Sequence, residues 1–416
     1  MNTDNPAVKK SLFTPFNVVV GIIIMIGAVI TFLRFTKGLG GVTNLSDDHA
    51  WGLWISFDLL CGVALAAGGY TTSAACYVFG LKRYHSAVRP AILTAFLGYA
   101  LVVFALNYDV GRPWRLPYPI FVKQGTTSVL FEVGLCVFLY LNTLFVEWLP
   151  ACLEWLGFRK PRNMIVRATL ALTILGVVLS TMHQSSLGAL YLIAPSKLHP
   201  LWYSTYIPVF FFISSIFAGL SMVIFEGTLS HHFLHDKMDR TYRNEHDGVV
   251  LGFSKGAAMV MACYLLLKLV GIALDDKWRY LLTGYGAWFL VELLGFVALP
   301  CFLFAIAVRE QNLKLAKVAS VLAVLGIVLN RFNVSWFAYN WNMPGGDGYF
   351  PSWMEIAISI YIVTIGVLLF RFISIKMAIF SEHPDYREHA PHEGEEEEAP
   401  ELMEHPLHKH PQTFGH

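Results

Sequence analysis

Apolar residues recur in long runs along most of the chain, and short polar segments separate these runs. Each run has about twenty residues, the length that an α-helix needs to cross the hydrocarbon core of a bilayer. The short links leave no room for a soluble domain between the runs. The pattern therefore predicts an all-α integral membrane protein, with helices packed in bundles of four. Ten transmembrane helices are predicted near residues 16–35, 51–79, 88–108, 127–148, 165–184, 203–229, 249–273, 284–308, 315–337 and 352–375.

The same pattern divides the chain of 416 residues into three parts. Residues 1–15 are a polar amino-terminal segment, residues 16–375 a transmembrane domain, and residues 376–416 a tail that mixes four consecutive glutamates and seven histidines with prolines. The tail has few apolar residues, which indicates that it is disordered. No small-residue cleavage pattern follows the first apolar run, and this favours an uncleaved first helix over a signal peptide.

Composition excludes several classes of protein. Hydrophobic residues make up 56% of the chain and charged residues only 14%, whereas a soluble domain usually carries about 25% charged residues. A net charge of +1 gives no indication of a nucleic-acid partner. The six cysteines include no C-x-x-C pair, so the sequence predicts neither a thiolate-bound metal nor an iron–sulfur cluster within the chain.

Lysine and arginine are distributed unequally between the two sets of connecting segments. If the amino terminus is cytoplasmic, the inner segments hold 17 of these residues and the outer segments hold 8. The positive-inside rule then predicts that both termini lie in the cytoplasm. The outer loops at residues 109–126, 185–202 and 338–351 are rich in proline and aromatic residues, as in a docking surface or a lid over a site.

Several ionisable residues fall inside the predicted spans, where they are costly unless they are paired or hydrated. Two explanations, salt bridges between helices and a functional role, account equally for four of them, which are Lys255, Lys268, Glu292 and Arg331. Three others lie beside serines and glycines that leave room for water or a ligand, and they favour a proton relay. These are Glu132, His183 and Glu226.

A haem bound within the membrane usually needs two facing histidines. Only His183 falls within an apolar run, which argues against a haem and leaves quinone or proton chemistry open. Asp109 and Arg112 leave the third span together, and they could pair with each other or contact a ligand head group. The small residues between positions 62 and 75 indicate either tight helix packing or a flat ligand.

Motifs along the chain occur in the order found in one family. They are the segments at residues 51–58, 89–99, 109–114, 128–132, 181–186, 199–202, 225–227 and 349–353. On these segments the chain resembles the NrfD/PsrC superfamily, and within it the ten-helix HybB type, which includes QrcD-like subunits. The resemblance runs from about residue 15 to residue 375.

This resemblance implies a quinone-reactive subunit of a bacterial inner membrane, without haem or iron–sulfur cofactors of its own. A periplasmic, ferredoxin-like iron–sulfur subunit would dock on its outer face, with catalytic or cytochrome subunits beyond it. Such complexes include periplasmic nickel–iron hydrogenases, polysulfide reductases, alternative complex III and Qrc-type menaquinone reductases. The expected substrate is menaquinone, reduced with proton uptake and possible energy coupling, while hydrogen, formate and cytochrome c all remain open as electron sources.

The resemblance also implies roles for individual residues, and it involves no metal ligand. Positions linked to quinone and proton handling match Arg89, Tyr99, Glu132, His183 and Glu226. Polar positions near the quinone site match Asp58 and Asp109. Together with His183 and Arg112, which follows Asp109 by three residues, they are the predicted quinone-binding residues. His183 and Tyr99 could each give a movable proton to a quinone oxygen.

Two other functions fit the same residues. A proton or ion transporter would also bury charges, although the chain lacks the interrupted helix pair found near the midplane of many transporters. A structural membrane anchor would need only apolar helices, so the buried acids count against it.

Overall fold

The computed structural model describes residues 14–342 and 348–380. The predicted tail from residue 381 and most of the amino-terminal segment therefore lie outside the described residues. Within the described part, ten helices are long and apolar enough to cross a membrane, which confirms the predicted number. They are α1 (Pro15–Lys37), α2 (Trp54–Val78), α3 (Lys82–Asp109), α4 (Val129–Leu156), α5 (Thr169–Leu192), α6 (Ile207–Phe233), α7 (Arg240–Leu274), α8 (Gly284–Arg309), α9 (Leu313–Phe337) and α10 (Trp353–Lys376).

Local sequence signals set several of the helix ends. Thr14 and Asp239 cap α1 and α7, since each side chain accepts a hydrogen bond from a backbone N–H of the first turn. Ser352 and Glu355 form a reciprocal capping box at the start of α10. Gly157 ends α4 in the left-handed conformation, with φ of 78°. The cap at Asp239 starts α7 about nine residues before the apolar run, so His246 lies inside this helix rather than at its end.

The ten helices form two bundles of four and one peripheral pair. Helices α2 to α5 pack around one another, and α6 to α9 form the second bundle. Contacts of α2 with α6 and α9, and of α5 with α6, join the two bundles. Helices α1 and α10 pack together against α3, and α1 is the most exposed of the ten. The predicted bundles of four are therefore present.

Helix α2 is the most buried of the ten, because its small residues let neighbouring helices approach closely. Two of its stretches, Trp54–Cys61 and Ala74–Val78, have the wider π-helical geometry. Val291–Ala298 in α8 and Asn333–Phe337 in α9 share it. Such departures within an α-helix often mark functional sites.

The two ends of the bundles differ. The loop-rich end holds residues 39–53, 110–128, 193–206, 275–283, 338–342 and 348–352, and hydrogen bonds such as Ser352 Oγ to the Val42 carbonyl tie its loops together. The basic end holds residues 79–81, 157–168, 234–239, 310–312 and 377–380. There the Asp239 N–H donates to the Phe380 carbonyl. Both ends of the described chain therefore lie at the basic end.

Candidate functional site

Three aromatic side chains from three helices meet in the middle of the first bundle. The ring centroid of Tyr99 on α3 lies 4.7 Å from that of Tyr140 on α4 and 5.6 Å from that of His183 on α5. All three residues have no solvent-accessible surface. Tyr99 and His183 were both predicted as site residues, and the fold brings them together.

Hydrogen-bonding groups around these rings are not fully satisfied by one another. The hydroxyls of Tyr99 and Tyr140, the Ser180 hydroxyl and the Gln184 carbonyl oxygen are buried close together, but within the described residues none of them has a hydrogen-bond partner of ordinary geometry. Both ring nitrogens of His183 are likewise buried without a partner there. We call these five residues the central cluster. Buried polar groups in folded proteins are nearly always hydrogen-bonded to protein or to ordered water. The central cluster is therefore suited to hold water molecules or to receive a polar ligand group.

Glu132 lies at the edge of this region and on the outside of the bundle. It belongs to the exposed first turn of α4, near the loop-rich end. Its carboxylate accepts a hydrogen bond of 2.5 Å from Ser186, one helical turn along α5 from His183. The sequence pattern grouped Glu132 with buried acids. The structure differs because the first turn of α4 is not covered by a neighbouring helix.

A second acid on α4, Glu147, was missed by the sequence analysis. Thr173 on α5 donates a hydrogen bond to its carboxylate at 3.2 Å. Glu147 is close enough to Tyr140 for their charges to interact, and an atom added at Gly176 would lie 3.9 Å from its carboxylate. The spacing of Tyr140, Thr143 and Glu147 places all three on one helix face, which could have revealed it.

Glu226 on α6 lies towards the basic end, apart from the rings of the central cluster. Thr94 on α3 donates a hydrogen bond of 2.6 Å to its carboxylate. A small cavity beside Glu226 is lined by side chains of α3, α6 and α7, including Tyr242 and His246. Thr94 precedes Tyr99 by five residues, a rise of about 7.5 Å along α3. One helix therefore connects the two polar regions.

Arg89 is held in an ion-pair cluster and not among the central rings. Its guanidinium contacts both carboxylate oxygens of Glu154, at 2.9 and 3.0 Å, and donates to the Ala378 carbonyl. Arg162 also donates to Glu154, at 3.1 Å. Glu154 is fully buried, so it depends on both arginines. These contacts join α3, α4 and the segment after α10.

Asp58 and Asp109 lie among α1, α2, α3 and α10. Ser359 on α10 donates to Asp58 at 2.8 Å. Arg34 on α1 donates to the carbonyls of Tyr108 and Val110 and lies close to Asp109.

Arg112, by contrast, is exposed. Within residues 14–342 and 348–380 it forms no hydrogen bond or ion pair with Asp109. The cation beside Asp109 is thus Arg34, because α1 packs next to the end of α3.

Glu292 and Arg331 form a network in the second bundle, where polar contacts satisfy both. Glu292 accepts hydrogen bonds from the side-chain N–H groups of Trp202, Asn330 and Asn333, at 2.7, 2.7 and 2.5 Å. Arg331 donates to Asn330 and to Ser214, and its guanidinium lies 3.9 Å from the centre of the Phe211 ring. The side-chain amide of Asn330 therefore bridges Glu292 and Arg331, which do not form a direct salt bridge.

His199 is the centre of an aromatic group at the loop-rich end. Its ring stacks on Tyr285 with 4.7 Å between centroids, and Trp202 and Trp341 meet it edge-on. Its Nδ1 accepts a hydrogen bond from the Leu201 N–H. Burial lowers the pKa of His199 to about 4, so this histidine is neutral at physiological pH.

Comparison with known proteins identifies the family to which this chain belongs. Residues 41–340 match the model of the family "Polysulphide reductase, NrfD". The chain belongs to the NrfD family. The match covers both four-helix bundles, the central cluster and the cavity beside Glu226, which confirms the resemblance seen in the motifs.

Relatives of this NrfD-family chain include membrane proteins of respiratory complexes. A protein of Nitratidesulfovibrio vulgaris Hildenborough is 65% identical over 380 residues, covering 91% of this chain and 98% of the relative. The "Probable Ni/Fe-hydrogenase 2 b-type cytochrome subunit" of Escherichia coli K12 is 34% identical over 354 residues, covering 83% and 88%. The "Menaquinone reductase, integral membrane subunit" of Nitratidesulfovibrio vulgaris Hildenborough is 26% identical over 384 residues, covering 86% and 90%.

The name of the Escherichia coli relative mentions a b-type cytochrome, so we tested whether the described residues fit a haem. In a haem site of the bis-histidine type, two histidine nitrogens point at the iron from opposite sides of the porphyrin. His183 has Tyr99 as its ring neighbour. His231 and His246 stack face to face at 4.8 Å, which directs their nitrogens past each other and leaves no space for a porphyrin. His183, His231 and His246 therefore do not form a bis-histidine haem site.

Proposed function

We propose that this NrfD-family subunit exchanges electrons between a membrane quinone, menaquinone by resemblance, and a partner complex. In this proposal the loop-rich end faces the periplasm and carries an iron–sulfur subunit with catalytic or cytochrome subunits beyond it. The basic end, with both termini, faces the cytoplasm. The net reaction is quinone reduction with proton uptake. The names of the hydrogenase and menaquinone reductase relatives support this class of reaction.

The observation that carries the proposal is the position of Glu132. Its carboxylate lies on the bundle exterior near the loop-rich end, and Ser186 ties it to the helix turn that carries His183. A quinone is dissolved in lipid, so it reaches the protein from the exterior and not through the packed core. An acid at this place meets such a molecule before any member of the central cluster does.

The chemistry of the reaction supports the same residues. Quinone reduction consumes two electrons and two protons, so the quinone oxygens need donors whose protons can be replaced. His183 and Tyr99 both present unpartnered polar atoms behind Glu132 and Ser186. A partner docked at the loop-rich end would bring electrons to the end of α4 where Glu132 lies. Protons would then reach the quinone from the basic end through the central cluster, while electrons reach it from the loop-rich end.

The remaining predicted residues take different parts in this proposal. Asp58, and Asp109 with Arg34 beside it, would keep the neighbouring loop-rich end polar near the quinone head group. Arg112, which is exposed, would contact the docked partner. Arg89 would hold the basic end together through Glu154 and not touch the quinone.

Binding of a fluorescent quinol analogue tests the proposal without requiring the electron donor. The chain with its partners is placed in lipid nanodiscs and titrated with 2-heptyl-4-hydroxyquinoline N-oxide, whose fluorescence is quenched on binding. We expect Glu132→Gln to weaken the Kd about tenfold, which equals about 1.4 kcal/mol. Glu310→Gln is the matched control, because Glu310 is exposed at the opposite end. Unsaturable binding by the wild-type complex, or equal affinity of both variants, would contradict the proposed site.

A further inference from the structure

Three histidines form a ladder at the basic end, beside the cavity next to Glu226. The ring of His235 lies 5.1 Å from that of His231, and His231 stacks on His246 at 4.8 Å. His235 follows α6 and has a side chain that is 48% exposed, whereas His246 on α7 is only 5% exposed. The ladder therefore leads from the surface to the interior within the length of three rings.

The inner end of the ladder opens on the cavity. His246 and Glu226 both line this space, which has room for about one water molecule. The Nε2 atom of His246 is buried and has no hydrogen-bond partner among the described residues. Gly227 makes the approach possible, since a side-chain atom there would lie 3.3 Å from the His246 ring. An unpartnered imidazole nitrogen and a carboxylate thus share one small cavity, whose other lining residues are mostly apolar.

Charged groups of both signs surround the ladder. Arg243 and Asp247 on α7, and Lys317 on α9, act on His231 or His246. The local charge is therefore not dominated by a carboxylate that would hold a proton on the imidazoles. Within the described part of the chain, neither histidine takes part in an ion pair that would fix it as Glu154 is fixed.

We propose that His231 and His246 form the proton entrance of this subunit, which passes protons from the basic end through the cavity to Glu226. This inference rests on the proposed quinone reaction. A proton from water binds an imidazole nitrogen, the protonated ladder releases it to water in the cavity, and the Glu226 carboxylate accepts it. For each quinone reduced, two protons follow this route, and two electrons come separately from the iron–sulfur partner. Imidazole suits the step, because one ring nitrogen can bind a proton while the other releases one.

Proton uptake and quinone binding are measured separately to test the entrance. The complex in nanodiscs receives electrons from a reduced viologen, which releases no protons when it is oxidised, and menadione serves as the acceptor. A pH-indicator dye follows proton uptake by stopped flow. We expect His246→Gln and His231→Gln to slow proton uptake about 100-fold or more, because one positioned proton-transfer group typically contributes about 10²–10⁴-fold. Added imidazole should restore part of the rate, and the affinity for the quinol analogue should stay unchanged.

His232→Gln is the matched control, because His232 is exposed and its ring packs on Phe233, away from the ladder. Wild-type uptake in both ladder variants would overturn the entrance. The entrance would also be overturned if proton uptake were lost, imidazole did not restore it and analogue binding were weaker, since this combination indicates structural damage. Absence of analogue binding by the wild-type complex would instead refute the proposed function, and this inference with it.

Discussion

The two bundles come into very close contact where α6 crosses α2 at Gly219. A Cβ atom at Gly219 would lie only 2.6 Å from the Ala67 carbonyl carbon and from the Gly68 nitrogen, both of which are backbone atoms. Backbone atoms cannot rotate away as a side chain can. Replacing this glycine with alanine must therefore move α6 away from α2.

The size of the movement follows from the contact distances. Ordinary van der Waals contact for a Cβ atom begins at about 3.4 Å, so the helices must separate by about 0.8 Å from the present 2.6 Å. Overpacking of a well-packed interior usually costs about 1–3 kcal/mol. We expect Gly219→Ala to lie at the upper end of that range, because the contact joins two bundles and both faces are buried.

Gly134→Ala provides the control. Gly134 also lies in a membrane helix, on α4, but nothing lies within 4 Å of a Cβ atom placed there. Alanine is intrinsically better than glycine inside a helix by up to about 1 kcal/mol, so this variant should be as stable as the wild type or slightly more stable. Both variants are heated in the same detergent, and the fraction that remains monodisperse is measured by size-exclusion chromatography. If Gly219→Ala survives heating as well as Gly134→Ala, the crossing is less tight than described and the reasoning fails.

Two further predictions concern the two ends of the bundles. Glu154→Gln should destabilise the protein by about 3 kcal/mol, because it leaves Arg89 and Arg162 without their shared carboxylate; the same heating assay measures this loss, and Glu310→Gln, which alters an exposed acid, should show none. Acidification should destabilise the loop around His199, because burial lowers the pKa of this histidine from 6.5 to about 4. Between about pH 6.5 and pH 4, His199 is protonated in the unfolded loop but neutral in the folded loop. The free energy of unfolding of the loop therefore falls by about 1.4 kcal/mol per pH unit over this range. Hydrogen exchange of the loop amides at pH 7.5 and pH 5.0, corrected for the intrinsic rate, checks this, and equal protection at both values would contradict it.

The sequence predicted the helices well, because a bilayer-spanning helix needs only a long apolar run. It predicted less about which face each polar residue occupies. Glu132 and Glu147 lie in the same run, yet one is on the exterior and the other is bonded to Thr173. That difference depends on where α4 begins and which helix packs beside it, and neither follows from the pattern of a single run.

Partners that are distant in sequence were the least predictable. Arg89 meets Glu154 across 65 positions, and Asp58 meets Ser359 across 301. A motif at one of these residues cannot reveal the other, since only the packing of the helices brings them together. The pair expected from proximity in sequence, Asp109 with Arg112, is replaced by the packing of α1, which brings Arg34 to Asp109.

The state of the hydrogen bonds separates the buried polar residues into two groups with different roles. Glu154 and Glu292 accept several hydrogen bonds each, which makes them fixed parts of the fold, since a fully bonded carboxylate gains nothing by changing its protonation. His183 and His246 keep unpartnered nitrogens in the interior, and a group of this kind is stable only when water or a ligand satisfies it. Proton transfer requires groups that can exchange their hydrogen-bond partners. The residues suited to proton chemistry are therefore incompletely bonded ones such as His183 and His246, which lie in the first bundle and on its border with α6 and α7.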